Sequence, residues 1–188
     1  MKNIQLVILL FGGLTLASCG NKNKPTAAES SEVSNKVVTP ADLGDLYQYY
    51  HANPTTLDKK DENTLIEYAA DKDITAIRTT SGVYIQTHSE GQGEQIKWGD
   101  KISVDYKGYT LDGTEFDSSY GRGEPITFRV GNMNAGWNEA LPYLKRGTKA
   151  TFLIPSHMGY GKKGFPGYID PDTNIAFDIV VLEETAGE

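Results

Sequence analysis

The string Gly159-Tyr160-Gly161-Lys162-Lys163-Gly164 reads literally as G-x-G-x-x-G and follows a strand-like stretch. Such a loop cradles a pyrophosphate only when a helix starts directly after it and aims its amide dipole at the phosphates. Phe165-Pro166-Gly167 comes next and cannot start a helix cleanly. The three histidines, His51, His88 and His157, have no metal-ligand spacing. No G-x-S-x-G elbow is present for a serine nucleophile. The single cysteine, Cys19, can build neither an intrachain disulfide nor a cysteine-rich metal site. No metal and no cofactor is expected. What remains is a set of aromatic residues, Tyr106, Phe116, Trp137, Tyr160 and Phe177, with one acid, Asp117.

Those residues need strands and a helix to hold them. Residues 101–106 alternate, with Ile102, Val104 and Tyr106 on one face. Asp112-Gly113 is a hairpin signal between Tyr109 and Phe116. Ile126, Phe128 and Val130 alternate, as do Ala150, Phe152 and Ile154, and then Ile175, Phe177, Ile179 and Val181. Trp137, Ala140, Leu141 and Leu144 fall at i, i+3, i+4 and i+7, the stripe of a short helix. Pro142 interrupts it by removing a backbone donor. Strands, one helix, then strands predict an α+β domain with an antiparallel sheet wrapped on a single helix.

Ahead of this domain the texture is different. Residues 41–79 form a short N-terminal helical extension. Leu43, Leu46, Tyr47 and Tyr50 make one helical stripe before Pro54, and Leu65, Tyr68 and Ala69 make a second, with Asp61 as its cap. The domain is placed at 80–188, and its part from Thr80 to Glu184 is expected to fold without residues 41–74. Residues 19–40, rich in Asn, Lys, Ser and Thr, read as a flexible tether. Residues 1–18 read as a signal peptide, with Lys2 ahead of an apolar run at 4–16 that is short for a membrane span. That run ends in Leu16-Ala17-Ser18-Cys19, which resembles a bacterial lipobox. The resemblance implies that Cys19 is acylated and anchors the chain to a lipid bilayer. Several acyl chains hold where one is marginal. No Asp follows in Gly20-Asn21-Lys22-Asn23-Lys24, which by resemblance to known sorting signals favours the outer membrane of the cell envelope, and the lack of an acidic cluster of the kind used for surface export favours the side facing the periplasm. With 18 Lys and Arg against 25 Asp and Glu, the net charge is −7, which argues against a nucleic-acid partner.

The stretch from Val104-Asp105-Tyr106-Lys107-Gly108-Tyr109 to Asp112-Gly113-Thr114-Glu115-Phe116-Asp117-Ser118-Ser119 resembles the FKBP-type peptidyl-prolyl cis–trans isomerases. So do Gly136-Trp137, Gly147-Thr148-Lys149-Ala150, Ile154-Pro155, Gly159-Tyr160-Gly161 and Phe177-Asp178-Ile179. The resemblance covers residues 80–184 and implies the FKBP-like fold, a half-wrapped sheet around the helix at 137–144. It implies that Trp137 floors the pocket under a substrate proline and that Tyr106, Phe116 and Phe177 wall it. Asp117 matches a buried acid and Arg122 its partner, while Tyr160 matches a hydroxyl that binds a substrate carbonyl. Ile169 matches an apolar rim residue. Three places depart from the commonest pattern. Ile126 stands for an aromatic, Met133-Asn134 for two β-branched residues in a shorter loop, and Phe165 for a histidine. The usual contact at Asn134 is a backbone amide, which any residue but proline supplies.

The implied partners are proline-containing polypeptides, with macrolides as inhibitors. Rotation about an X–Pro amide faces a barrier of about 18–20 kcal/mol from lost resonance. The twisted transition state is less polar than the planar amide, so a dry aromatic box favours it without any nucleophile. Lowering the barrier by about 7 kcal/mol corresponds to roughly five powers of ten in rate. The alternative is an FKBP-fold chaperone or a binding module of an envelope assembly, with little turnover.

Overall fold

The computed structural model describes residues 46–183. The signal peptide, Cys19, the tether, Leu43 and the last five residues lie outside the described residues. Of the stripe expected over 40–51, Tyr47–Tyr49 form a single 3-10 turn. Leu46 is buried, but Tyr47 and Tyr50 face solvent, so this is not one apolar helix face. Helix α1 runs Leu57–Asp71. It starts after Thr56, in extended backbone two residues beyond Pro54. Asp61 is therefore not its cap. It sits in the second turn on the stripe it shares with Leu65 and Ala69, and all three are buried.

Seven strands follow among the described residues. They are β1 Ile77–Arg78, β2 Tyr84–Ser89, β3 Lys101–Thr110, β4 Glu115–Ser118, β5 Ile126–Arg129, β6 Lys149–Ile154 and β7 Ile175–Val181. They form one antiparallel sheet in the order β1-β2-β6-β7-β3-β4, with β5 also paired to β3. The strand β1 belongs to the 41–79 extension and turns into β2 through a Thr79 amide that donates to the Val83 carbonyl at 2.8 Å. Two short helices interrupt the strands, α2 at Ser119–Arg122 and α3 at Ala135–Ala140. Helix α3 tightens into a 3-10 turn at Leu141–Tyr143, where Pro142 is accommodated in the first turn. No helix among the described residues is long and apolar enough to cross a membrane.

The period-2 pattern sorts the side chains onto two faces. On the inner face, Ile102, Val104, Tyr106, Ala150, Phe152, Ile154, Ile175, Phe177, Ile179 and Val181 pack with Trp137, Ala140, Leu141 and Leu144 of the α3 segment. These are the faces that the alternation predicts. Gly136 lets α3 sit directly on β6, because a Cβ there would lie 2.5 Å from Ile154.

The outer face carries a second core. A row of cross-strand neighbours, Tyr84, Leu153, Ala176 and Tyr109, spans β2, β6, β7 and β3. Leu46, Leu65, Ile66, Ala69, Ile74 and Ala76 cover it. Glu62 ties α1 to the β1–β2 hairpin. It accepts from Arg78 Nε at 2.5 Å and from the Tyr84 hydroxyl at 3.2 Å, and pairs with His51 Nε2 at 2.9 Å. Burial alone would raise the Glu62 pKa, but the bonds from His51 and Arg78 outweigh it and hold it below the usual range.

Candidate active site

Helix α3 places Trp137 under the inner face because its start is capped. The Asn134 side chain accepts the Trp137 amide proton at 2.9 Å. The indole is fully buried, and four rings meet it edge-on: Phe177 at 5.1 Å between centroids, Tyr106 at 5.5 Å, Phe128 at 5.8 Å and Phe152 at 6.1 Å. Its Nε1 has no hydrogen-bond partner among the described residues. A buried donor left unpaired is uncommon and calls for an explanation at the site itself.

Above this floor, Phe116 stands edge-on to Phe177 at 5.5 Å and to Tyr160 at 6.2 Å. Both phenyl rings need the room that Gly108 leaves. A Cβ at that position would lie 2.6 Å from Phe177 and 2.8 Å from Phe116. Gly108 is paired with Phe177 on one side and with Asp117 on the other, so its missing side chain opens the cup where three strands meet.

The acid sits at the cup's edge. The Tyr106 hydroxyl and Arg122 Nη1 each donate to Asp117 through a short hydrogen bond. Arg122 Nη2 donates to the Tyr106 hydroxyl at 2.8 Å, closing a three-membered ring. The Ser118 amide donates to Asp117 at 2.8 Å. The guanidinium also lies 5.3 Å from the centre of the Tyr106 ring. Burial, and then the bond to Asp117, push Tyr106 up to about 12. Burial and the Asp117 charge likewise raise Tyr160. Asp117 is not buried as the resemblance implies, since its side chain is 42% exposed. The cause is positional: β4 is the terminal strand of the sheet, and only the one-turn α2 follows it.

Two loops complete the rim. In the first, Asn138 accepts from the Gly131 amide at 2.9 Å and donates to the Met133 carbonyl at 2.7 Å, holding the loop ahead of α3. Met133 and Ile126 both pack partly buried against the inner core. The second loop runs from Ser156 to Asn174. Tyr160 stacks on Phe165 at 5.6 Å, and Phe165 stacks on Tyr168 at 5.0 Å. The stack leads out of the cup, and Phe165 and Tyr168 are exposed. Ile169 is buried in the inner core, bonded to Phe165 through both backbone groups.

All the aromatic residues singled out from the sequence therefore converge with Asp117 and Arg122. Sequence reasoning missed Phe128, which it read only as part of an alternating strand. It also missed Asn138, a polar residue on so short a helix that no periodicity marks it, and Tyr168, which only the stack identifies. The three histidines stay apart from the cup. His51 meets Glu62, His88 meets Thr151 at 2.7 Å, and His157 lies 3.9 Å from Asp58. The G-x-G-x-x-G string ends in a 3-10 turn at Gly161–Lys163 and opens no α-helix. A separate groove of about 750 Å³ lies beside α1 and the second loop. It is lined by Asp112, Asp170, Asp172 and Tyr168 and by none of the cup's core residues.

The family model for FKBP-type peptidyl-prolyl cis-trans isomerases matches residues 92–182. The chain is 43% identical over 108 residues to the FKBP-type peptidyl-prolyl cis-trans isomerase FkpA of Escherichia coli strain K12, which covers 57% of this chain and 40% of that protein. It is 41% identical over 104 residues to a peptidyl-prolyl cis-trans isomerase of Schizosaccharomyces pombe, covering 54% of this chain and 93% of the relative. The crystal structure of FkpA from Escherichia coli superposes with a TM-score of 0.60 at 34% identity, over 74% of this chain and 62% of that one. The chain thus spans about two fifths of the length of its Escherichia coli relative.

Proposed function

The chain belongs to the FKBP-type peptidyl-prolyl cis-trans isomerase family, and we propose that its aromatic cup takes the proline of an X–Pro bond and speeds rotation about that bond. The observation that carries this reading is the convergence of Tyr106, Phe116, Trp137, Tyr160 and Phe177 around one concavity. In this reading the pyrrolidine ring rests on Trp137 between Tyr106, Phe116 and Phe177. The Tyr160 hydroxyl and the Asn134 amide donate to substrate carbonyls. Ile126, Met133, Phe165 and Ile169 shape the apolar rim. Arg122 holds Asp117, and Asp117 orients the Tyr106 hydroxyl.

The mechanism asks for no proton transfer. Removing the amide from water disfavours its polar planar form relative to the twisted one, and the walls hold the twisted geometry. We place the isomerase domain at 80–188. Through an acylated Cys19 it would work at the cell envelope, at the outer membrane facing the periplasm, on exported polypeptides. The Leu16-Ala17-Ser18-Cys19 string supports that placement.

A protease-coupled assay on a proline peptide, with and without a macrolide, tests the activity. The expected result is catalysed isomerisation that the macrolide abolishes. Intact mass of the membrane-extracted protein tests the anchor, and a Cys19 without acyl chains overturns it. The exposed Phe165–Tyr168 stack favours a second reading, a chaperone or binding module. Tight binding of unfolded chains with no rate enhancement would establish it.

A further inference from the structure

Three buried polar residues sit outside the cup, and they meet at one point. Ser156 follows β6, Asn174 precedes β7, and Asp61 comes from α1, outside the region that the family model matches. The Ser156 hydroxyl donates to Asp61 Oδ2 at 2.6 Å, and the Ser156 amide donates to the same oxygen at 3.1 Å. That amide is shared with Asn174 Oδ1 at 2.9 Å, and Asn174 Nδ2 donates to the Asp61 carbonyl at 3.3 Å. Ser156 is fully buried, Asp61 is 5% exposed and Asn174 8%.

Ser156 and Asn174 are the two ends of the loop that carries Tyr160, Phe165 and Ile169. We propose that Asp61 is a positioning residue for the isomerase site, closing the base of this loop so that Tyr160 meets the cup. The proposal rests on the isomerase reading above. The connection from clamp to site is short. The Ser156 carbonyl accepts from the Gly159 amide at 3.0 Å, and Tyr160 is the next residue. At the other end, Asn174 leads straight into β7, which places Phe177.

Burial raises the Asp61 pKa, against the lowering effect of the two Ser156 bonds and of His157, while Asp58 adds to the rise. A carboxyl raised on folding adds stability below its unfolded pKa and loses that contribution as the pH climbs through the folded value. What Asp61 supplies is geometry: one carboxyl oxygen that accepts two hydrogen bonds from a single residue and fixes that residue's orientation.

The test is a double-mutant cycle between Asp61→Ala and Tyr160→Ala on the full chain, read by kcat/KM on a proline peptide and by melting curves. Asp61→Ala is expected to lower kcat/KM about tenfold at a temperature where the protein is folded, since a small misplacement of a contact group has effects of this size. In the Tyr160→Ala background the same change is expected to do little. Asp61→Asn, which keeps one acceptor, is expected to recover part of the loss. Additive effects, or a lowered melting temperature with unchanged kcat/KM, overturn the proposal. If Asp61→Ala does not fold, Ser156→Ala replaces it in the cycle with the same expectations. A 3-fluorotyrosine at position 160, followed by fluorine NMR, separates this inference from the isomerase reading. A wild-type protein without turnover defeats that reading alone. An unchanged fluorine line in the Asp61 and Ser156 variants defeats the clamp.

Discussion

The two faces of the sheet draw on the same strands and end in opposite states. Along β7, Phe177 points inward and Ala176 outward. Along β6, Phe152 points inward and Leu153 outward. The outer face is sealed by α1, and its charges are matched within the fold, with Glu62 meeting three partners. The inner face is lined by large rings, keeps an indole donor unpaired and leaves its acid half exposed. A face built for stability closes on itself, whereas one built for a ligand stays incomplete. The contrast predicts that changes to the apolar cover of the outer face act on stability alone, with Asp61 on the same helix as the one exception through its bonds to Ser156, and that inner-face changes act on stability and rate together.

Removing everything before residue 80 is expected to have the largest effect. Tyr84, Leu153 and Ala176 would lose their cover, and β2 would lose β1 while keeping β6. The remaining domain should still melt cooperatively, because the inner core is complete within it, but far below the full chain. Loss of cooperative melting would mean that the faces fold as one unit. Next come single truncations. Phe177→Ala should lower stability by about 3–5 kcal/mol and Leu65→Ala by about 2–5 kcal/mol. Only the first should lower the isomerase rate per folded molecule. A matching loss of rate in Leu65→Ala would break the division.

Asp117→Asn should change the melting temperature little, because an ion pair this exposed is screened by solvent. Its effect should fall on rate, about tenfold, equivalent to about 1.4 kcal/mol at the transition state. The smallest expected effect is that of pH. No histidine lines the cup, and Tyr106 stands at about 12, so the rate should be flat from about pH 6 to 8. Tyr106 is raised on folding, so its contribution to stability is complete below its ordinary 10 and fades as the pH rises toward 12. Urea titrations at pH 8 and 11 should show that loss, reduced in Tyr106→Phe. A bell-shaped rate profile near pH 7 would instead point to acid–base chemistry.

The inner face was legible in the sequence because alternation is a local signal. Ile102, Val104 and Tyr106, then Ile175, Phe177 and Ile179, declare a face before any partner strand is known. The aromatic cup came from family resemblance, since nothing in the spacing of Phe116 and Phe177 alone shows that their rings touch across Gly108. The outer core was not legible. Tyr84, Leu153 and Ala176 fall on the strand faces that the alternation leaves unassigned, and α1 carries only a weak stripe interrupted by charge. Asp61 was misread as a cap because its partners lie some hundred residues away, and no local rule reaches that far. The exposure of Asp117 was missed for the same reason, as it depends on β4 being the terminal strand.

The place of β7 in the sheet has a consequence for how the chain is made. It is the last of the seven strands in sequence, yet it lies in the interior, between β6 and β3. Until residues 175–181 arrive, β6 and β3 have no common partner, and each offers an open edge to any other extended chain. The sheet therefore stays open between β6 and β3 until the segment at 175–181 is available to pair with both. Folding of the chain is governed by long-range pairing and is slow for its size.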